Sequence, residues 1–131
     1  MALFFALLII AFAKQFIKAQ EVSLQLIFGT LCLYLIIGLL WGSLYSLLYT
    51  IDPESFSGVL LDNSDSGGLL TTFNYFSIVT LTTLGYGDIT PQTPAASSLC
   101  QIEAITGQFF TAVLVAWLVG THVSSRVNNV S

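Results

Sequence analysis

The chain has 131 residues, 55% of them hydrophobic and only 8% charged. Soluble domains carry about 25% charged residues, so the natural solvent of this chain is a membrane, and its length leaves room for one domain with two or three spans of about 20 residues each. The net charge of −4, with three basic residues in all, excludes the basic patch that nucleic-acid binding requires.

Met1 to Ala13 is apolar but too short to cross a bilayer. Leu3 to Ile10 followed by Ala11-Phe12-Ala13 has the outline of a signal peptide, yet no basic residue precedes it and Lys14 and Lys18 follow it. Residues 1–20 therefore read as an interfacial helix, or as the stump of a spanning helix from a longer protein, with the two lysines one turn apart at the headgroups. Val22 to Tyr49 is a long apolar run and predicts an outer helix over 22–50, longer than a span requires and so tilted or projecting. Trp41, Tyr45 and Tyr49, at i, i+4 and i+8 near its outer end, suit the aromatic belt of a membrane interface.

Ile51-Asp52-Pro53 stops that helix, because proline lacks an N–H and restricts its predecessor. Residues 51–71 form the one plainly aqueous stretch, with Asp52, Glu54, Asp62 and Asp65 and a flexible turn over Asn63 to Gly68. A short apolar helix follows over 72–82; it cannot cross the membrane, and it runs straight into a Gly-rich segment. That pattern predicts a re-entrant element, since irregular backbone at membrane depth is tolerated only where it lines a water-filled path or is buried in protein. Pro91 and Pro94 mark the next turn, Ser97 or Ser98 is a candidate cap, and residues 95–122 form the second span, with His122 and Arg126 at or beyond its end. Cys32 and Cys100 both lie in apolar segments and read as packing residues. The basic residues Lys14, Lys18 and Arg126 all fall on one side of the two spans, which the positive-inside rule makes cytoplasmic; the loop carboxylates fall on the other.

The most informative segment is Thr82 to Asp88, Thr-Thr-Leu-Gly-Tyr-Gly-Asp. Gly85 and Gly87 can take φ > 0 without a Cβ clash, and a chain alternating left- and right-handed conformations points successive carbonyls to one side. The segment resembles the selectivity filter of the potassium channels, with Leu84 where valine is usual. The resemblance implies an all-α membrane protein of two transmembrane helices with a re-entrant pore helix and filter between them, assembled as a homotetramer in a lipid bilayer, because one filter strand per chain requires four chains to close a ring. It implies K+ ions bound at Thr83, Leu84, Gly85 and Tyr86, with Gly87 completing the strand, where carbonyl rings replace the water shell of a dehydrated cation. No organic cofactor is implied. Leu84 is not β-branched and is freer at χ1 than valine.

The same resemblance gives supporting roles. Tyr75 and Phe76 stand where two pore-helix aromatics brace the filter, with Tyr75 able to donate to Asp88 and Phe76 unable to hydrogen-bond Tyr86. Val79 stands where some relatives carry a glutamate that pairs with the aspartate matching Asp88. Asp88 itself suits a ring of charges at the outer mouth. Glu103, ionisable within a span, is a functional candidate by position. Its angle on the helical wheel, about 100° from the face of Gln108 and Thr111, turns it toward the pore helix, protonated or hydrogen-bonded, to brace Thr or Ser groups there. Gln108, Thr111 and Val115 share a face suited to a water-filled cavity, interhelical hydrogen bonding being the alternative. Gly107 matches the glycine at which inner helices of relatives bend, and it equally permits close packing. Ala116 and Gly120 fall where a cytoplasmic constriction would form.

These residues make a K+-selective passive channel the leading function. A weakly selective cation channel, motivated by Leu84 and Val79, and a non-conducting channel subunit, motivated by the short N-terminal segment, are the alternatives. No serine or cysteine has the base and orienting partner that nucleophilic catalysis requires, and no enzymatic reading survives. The plasma membrane, with both termini cytoplasmic, is the expected location.

Overall fold

The computed structural model describes the backbone of residues 24–62 and 68–128 and the side chains of residues 27–62 and 68–119. The expectations for residues 1–20, for the turn around Asn63 to Gly67, for the surroundings of Gly120, and for the side chains of His122 and Arg126 lie outside these. The elements in chain order are α1 (Leu24–Ile51), a 3-10 turn (Pro53–Ser55), β1 (Phe56–Ser57), α2 (Val59–Asp62), α3 (Leu69–Leu81), β2 (Thr90–Pro91) and α4 (Pro94–Asn128). Two stretches, Ile27–Ile51 in α1 and Pro94–Val119 in α4, are long and apolar enough to cross a membrane, whereas α3 is not.

Helix ends follow from local chemistry. The Asp52 N–H donates to Leu48 O at 2.8 Å, closing α1. Pro53 then forces the break, and the Asp52 carboxylate accepts from the Glu54 N–H at 3.2 Å to start the 3-10 turn. At α4 the cap is neither Ser97 nor Ser98. Thr93 Oγ1 accepts from the Ala96 N–H at 3.3 Å, and Pro94 is the first helical residue. Proline suits that position because its missing N–H would have no helical partner there. The helix α3 begins at Leu69, earlier than the sequence predicts, with no side-chain cap at Gly68.

One stripe of α1 faces inward, Leu33, Ile37 and Tyr45, spaced by multiples of four, with Trp41 half-buried among them. Phe28, Leu31, Leu35, Leu39 and Leu47 are exposed. The inward stripe meets α3, which lies across α1 and also touches α4. Near the outer end Tyr45, Phe56, Phe73 and Phe76 form an aromatic cluster, with Ile89 and Ala96 against it. Its rings meet edge-on, with centroids 5.4 Å apart for Tyr45–Phe56, 5.2 Å for Tyr45–Phe76 and 5.2 Å for Phe56–Phe73. Such pairs contribute about 0.5–1.5 kcal/mol each beyond area burial, which matters in lipid, where burying apolar surface supplies little drive. Toward the other end Leu33, Ile37 and Leu81 form a second cluster with Tyr34 and Phe110 beside it.

Tyr45 therefore corrects the belt reading. It is fully buried in this cluster, not placed at a headgroup interface, while Trp41 and Tyr49 pack against the cluster. The strands β1 and β2, two residues each, pair antiparallel with Phe56 opposite Pro91 and Ser57 opposite Thr90. This short ladder, with the Gln92 N–H donating to Ser55 O at 2.8 Å, ties the segment after residue 88 to the start of the outer loop.

Candidate ion-conduction site

The site begins at the C-terminus of α3. Thr82 caps the helix, its N–H bonding Ile78 O at 3.0 Å and its hydroxyl donating to the same carbonyl at 2.7 Å. Beyond the cap, φ is positive at Thr83 (58°), Gly85 (58°) and Gly87 (77°), so every second residue of the segment is left-handed. Two of the three are glycines, which take this conformation without penalty. Thr83 is β-branched, and holding it there costs on the order of 1–3 kcal/mol.

Accounting for the backbone polar groups shows what the conformation achieves. The Thr83 N–H donates to Thr80 O at 2.9 Å, and the N–H groups of Leu84 and Gly85 both donate to Val79 O, at 2.9 and 3.3 Å. The inner donors of the segment are thus spent on the last turn of α3. Among the described residues, the carbonyls of Thr83, Leu84, Gly85, Tyr86 and Gly87 accept no hydrogen bond within the chain. Backbone carbonyls in a folded protein are nearly always satisfied, so this row of acceptors needs water, a cation or another chain. The backbone carbonyl of Val79, not its side chain, holds the strand, and the side chain is buried.

Supporting residues lie around the strand. The Tyr75 hydroxyl donates to Asp88 Oδ2 at 2.6 Å, and Asp88 Oδ1 accepts from the Ile89 N–H at 3.1 Å. The bond to Asp88 pushes the Tyr75 hydroxyl up to about 12, so the phenol stays protonated and donating at neutral pH. Phe76 lies in the aromatic cluster, while Leu84 and Tyr86 are exposed on the single chain. Gln108 Nε2 donates to Thr83 Oγ1 at 3.2 Å, linking α4 to the inner end of the strand. Thr111 turns its hydroxyl back onto Gly107 O and Gln108 O of its own helix, at 3.2 and 3.0 Å, and Val115 is exposed. The helix α4 runs unbroken through Gly107, which packs against α3: a Cβ there would lie 3.0 Å from the carbonyl carbon of Leu81.

Glu103 is fully buried. Its Oε1 lies 2.5 Å from Ser77 Oγ on α3, its Oε2 accepts from the Tyr45 hydroxyl on α1, and Ser77 Oγ lies 2.7 Å from Gly38 O on α1.

Three features lie outside the sequence reading above, two of them beyond its reach. The Tyr34 hydroxyl donates to Leu81 O at 3.0 Å, satisfying a carbonyl that the helix end leaves free; a lone tyrosine in an apolar span gives no sign of its partner. Ser77 and Tyr45 are the partners of Glu103, and no local spacing relates them. Gly38 and Gly42, by contrast, form a small-xxx-small pair that was there to be read. They let α3 approach α1 so closely that a Cβ on Gly42 would lie 2.8 Å from Asn74 Cα, and one on Gly38 would lie 2.5 Å from Ile78 Cδ1.

Comparison with known proteins agrees with this geometry. A 45-residue stretch is 49% identical to two pore potassium channel c of Oryza sativa subsp. japonica, covering 34% of this chain and 10% of that protein, so the match spans only a tenth of that relative's length. No solved structure matches. The family model described as "Ion channel" matches residues 23–122, which include both spans, α3 and the Gly-rich strand. With two membrane-spanning helices flanking a re-entrant helix and strand, the chain is an integral membrane protein and belongs to the ion channel family.

Proposed function

We propose that the chain is the pore-forming subunit of a K+-selective channel, with four copies surrounding one conduction path. The observation that carries this reading is the strand over Thr83 to Gly87. Its handedness alternates, its inner N–H groups are committed to Val79 O and Thr80 O, and its carbonyls have no partner within the chain. Rings of such oxygens at the spacing of successive residues replace the hydration shell of a monovalent cation. The potassium channel named among the relatives supports K+ as the ion. K+ ions then bind at Thr83, Leu84, Gly85 and Tyr86 as the transported species, with Gly87 and Asp88 at the outer mouth. Gln108, Thr111 and Val115 line the inner cavity, and Gly107 is the point at which α4 bends if the gate moves. Asp88 concentrates cations at the entrance, and the positive-inside rule favours both termini on the cytoplasmic side of the membrane.

The test is the reversal potential of purified protein in a planar bilayer with K+ on one side and Na+ on the other. A value near the K+ equilibrium potential is expected. A value near zero would overturn K+ selectivity in favour of a loosely selective cation pore, for which Leu84, lacking a branch at Cβ, would be responsible. Silence from verified tetramers would favour a non-conducting subunit.

A further inference from the structure

Glu103, Ser77, Tyr45 and Gly38 O form the one cluster of buried polar side chains joining three helices among the described residues, and the proposed function leaves its chemistry unassigned. We propose that Glu103 is a neutral carboxylic acid that donates its proton from Oε1 to Ser77, and that this acid clasps α1, α3 and α4 together to position the filter strand.

The proposal rests on counting protons. Ser77 Oγ makes two short contacts, 2.7 Å to Gly38 O and 2.5 Å to Glu103 Oε1. A hydroxyl has one proton to give and two lone pairs to receive. Gly38 O carries no hydrogen, so its contact consumes the serine proton. The contact between Ser77 Oγ and Oε1 then needs a proton from the glutamic acid. An ionised Glu103 would leave one pair of oxygens pressed together with no hydrogen between them. The neutral acid satisfies every atom in one direction: Tyr45 O–H to Oε2, Oε1–H to Ser77 Oγ, and Ser77 O–H to Gly38 O.

The surroundings point the same way. A buried carboxylate is stable only with a cationic partner or several donors. The titratable groups nearest Glu103 are Tyr45 on α1, Cys100 on its own helix and, more distantly, Tyr34; none is basic. The chain's basic residues are Lys14, Lys18 and Arg126. Arg126 lies about 34 Å along α4 at 1.5 Å per residue, and both lysines precede α1.

The clasp bears on the filter through a short path. Ser77 lies two residues before Val79, whose carbonyl receives the N–H groups of Leu84 and Gly85. Fixing Ser77 against both α1 and α4 fixes the turn of α3 from which the strand hangs. Glu103 is a positioning residue in this scheme and touches no ion. This functional half rests on the channel reading above; the protonation half does not.

The experiment is infrared difference spectroscopy of the full-length protein in lipid at neutral pH, wild type against Glu103→Gln. The expected result is loss of one protonated-carboxyl C=O band with no loss of carboxylate intensity. Loss of a carboxylate band instead would overturn the proposal. In Ser77→Ala the C=O band is expected to persist and shift upward, because the acid loses its acceptor; an unshifted band would overturn donation to Ser77. Permeability ratios test the positioning. The amide introduced by Glu103→Gln keeps an acceptor for Tyr45 and a donor for Ser77, so this variant retains the wild-type K+/Na+ ratio. Glu103→Leu lowers it, because the Tyr45 hydroxyl loses its acceptor and Ser77 loses its tie to α4. Equal ratios in the two variants would overturn the positioning role. If the wild type itself carries no current, the channel reading fails while the infrared result still decides the protonation.

Discussion

Gly107→Ala separates two uses of one glycine. An added Cβ would sit 3.0 Å from the carbonyl carbon of Leu81 and 3.2 Å from Leu81 Cδ1, and closer still to the carbonyl oxygen. The side-chain contact can relax, but the backbone contact cannot without moving α4 away from α3. Relieving an overpacked contact of this kind costs about 1–3 kcal/mol. Replacing glycine by alanine inside a helix returns about 0.8–1.0 kcal/mol. The net expectation is a destabilisation of up to about 2 kcal/mol per chain by that difference. Gly29→Ala is the control: nothing lies within 4 Å of its added Cβ in the chain, so only the helical gain applies. The assay is thermal unfolding of purified protein in one detergent, followed by single-channel recording. Gly107→Ala should melt below wild type and Gly29→Ala at or above it. The displacement should also reach conduction, because Leu81 O is held by Tyr34 and lies two residues before Thr83. If Gly107→Ala melts like Gly29→Ala and changes open probability alone, the close contact is not a constraint and the glycine serves only as a hinge.

Other expectations follow from the same contacts. Gly42→Ala should be more damaging than Gly38→Ala, since the first meets the backbone of Asn74 at 2.8 Å and the second only the flexible end of Ile78. A gap of about 1–2 kcal/mol in unfolding free energy is the scale for such overpacking, and equal effects would refute the backbone argument. Tyr34→Phe removes the hydroxyl from Leu81 O while keeping the ring beside Phe110, at 5.2 Å between centroids. Its expected cost is about 0.5–1.5 kcal/mol, read as a lower melting point with the oligomeric state unchanged. Leu84→Val stiffens χ1 in the strand and should move the bi-ionic reversal potential toward the K+ limit, about 59 mV for each tenfold gain in permeability ratio; no movement would remove Leu84 from the account of selectivity. The Tyr75 hydroxyl, raised from 10 to about 12, makes its bond to Asp88 present in full below pH 10 and lost as pH rises through 12. The phenolate absorbance of wild type minus Tyr75→Phe should therefore appear only in that window.

Much of the architecture was legible because it is written in contiguous strings. An apolar run, a proline stop, a run too short to cross and a second apolar run give the order of elements without any knowledge of contacts. The Gly-Tyr-Gly segment was legible for a similar reason, since a local conformational demand selects glycine at fixed positions. What escaped was information held between helices. Trp41, Tyr45 and Tyr49 share a face, and periodicity reports that face without reporting what covers it. Tyr45 reads as an interfacial residue because nothing local tells a tyrosine anchored at headgroups from one anchored on a buried acid. The start of α4 escapes for a different reason. Serines at 97 and 98 compete as caps on composition alone, and the preference of proline for the first helical position decides in favour of Thr93.

The two glycine-mediated contacts of α3 suggest why so short a helix holds its place at membrane depth. Lipid offers little drive for apolar surfaces to associate, so helices are held by close packing and by hydrogen bonds that lipid cannot replace. On one side Gly38 and Gly42 bring α1 against Ile78 and Asn74; on the other Gly107 brings α4 against Leu81. Each close approach is accompanied by a polar bond that fixes its register: Ser77 to Gly38 O beside the first, and Ser77 to Glu103, one turn before Gly107, beside the second. Small residues let the backbones meet, and the hydroxyls select one rotation among the several that packing alone would accept. The strand over Thr83 to Gly87 inherits that rotation through Val79 O and Thr80 O. Its geometry is therefore set less by its own residues, which favour no single arrangement, than by how α3 is gripped from both sides.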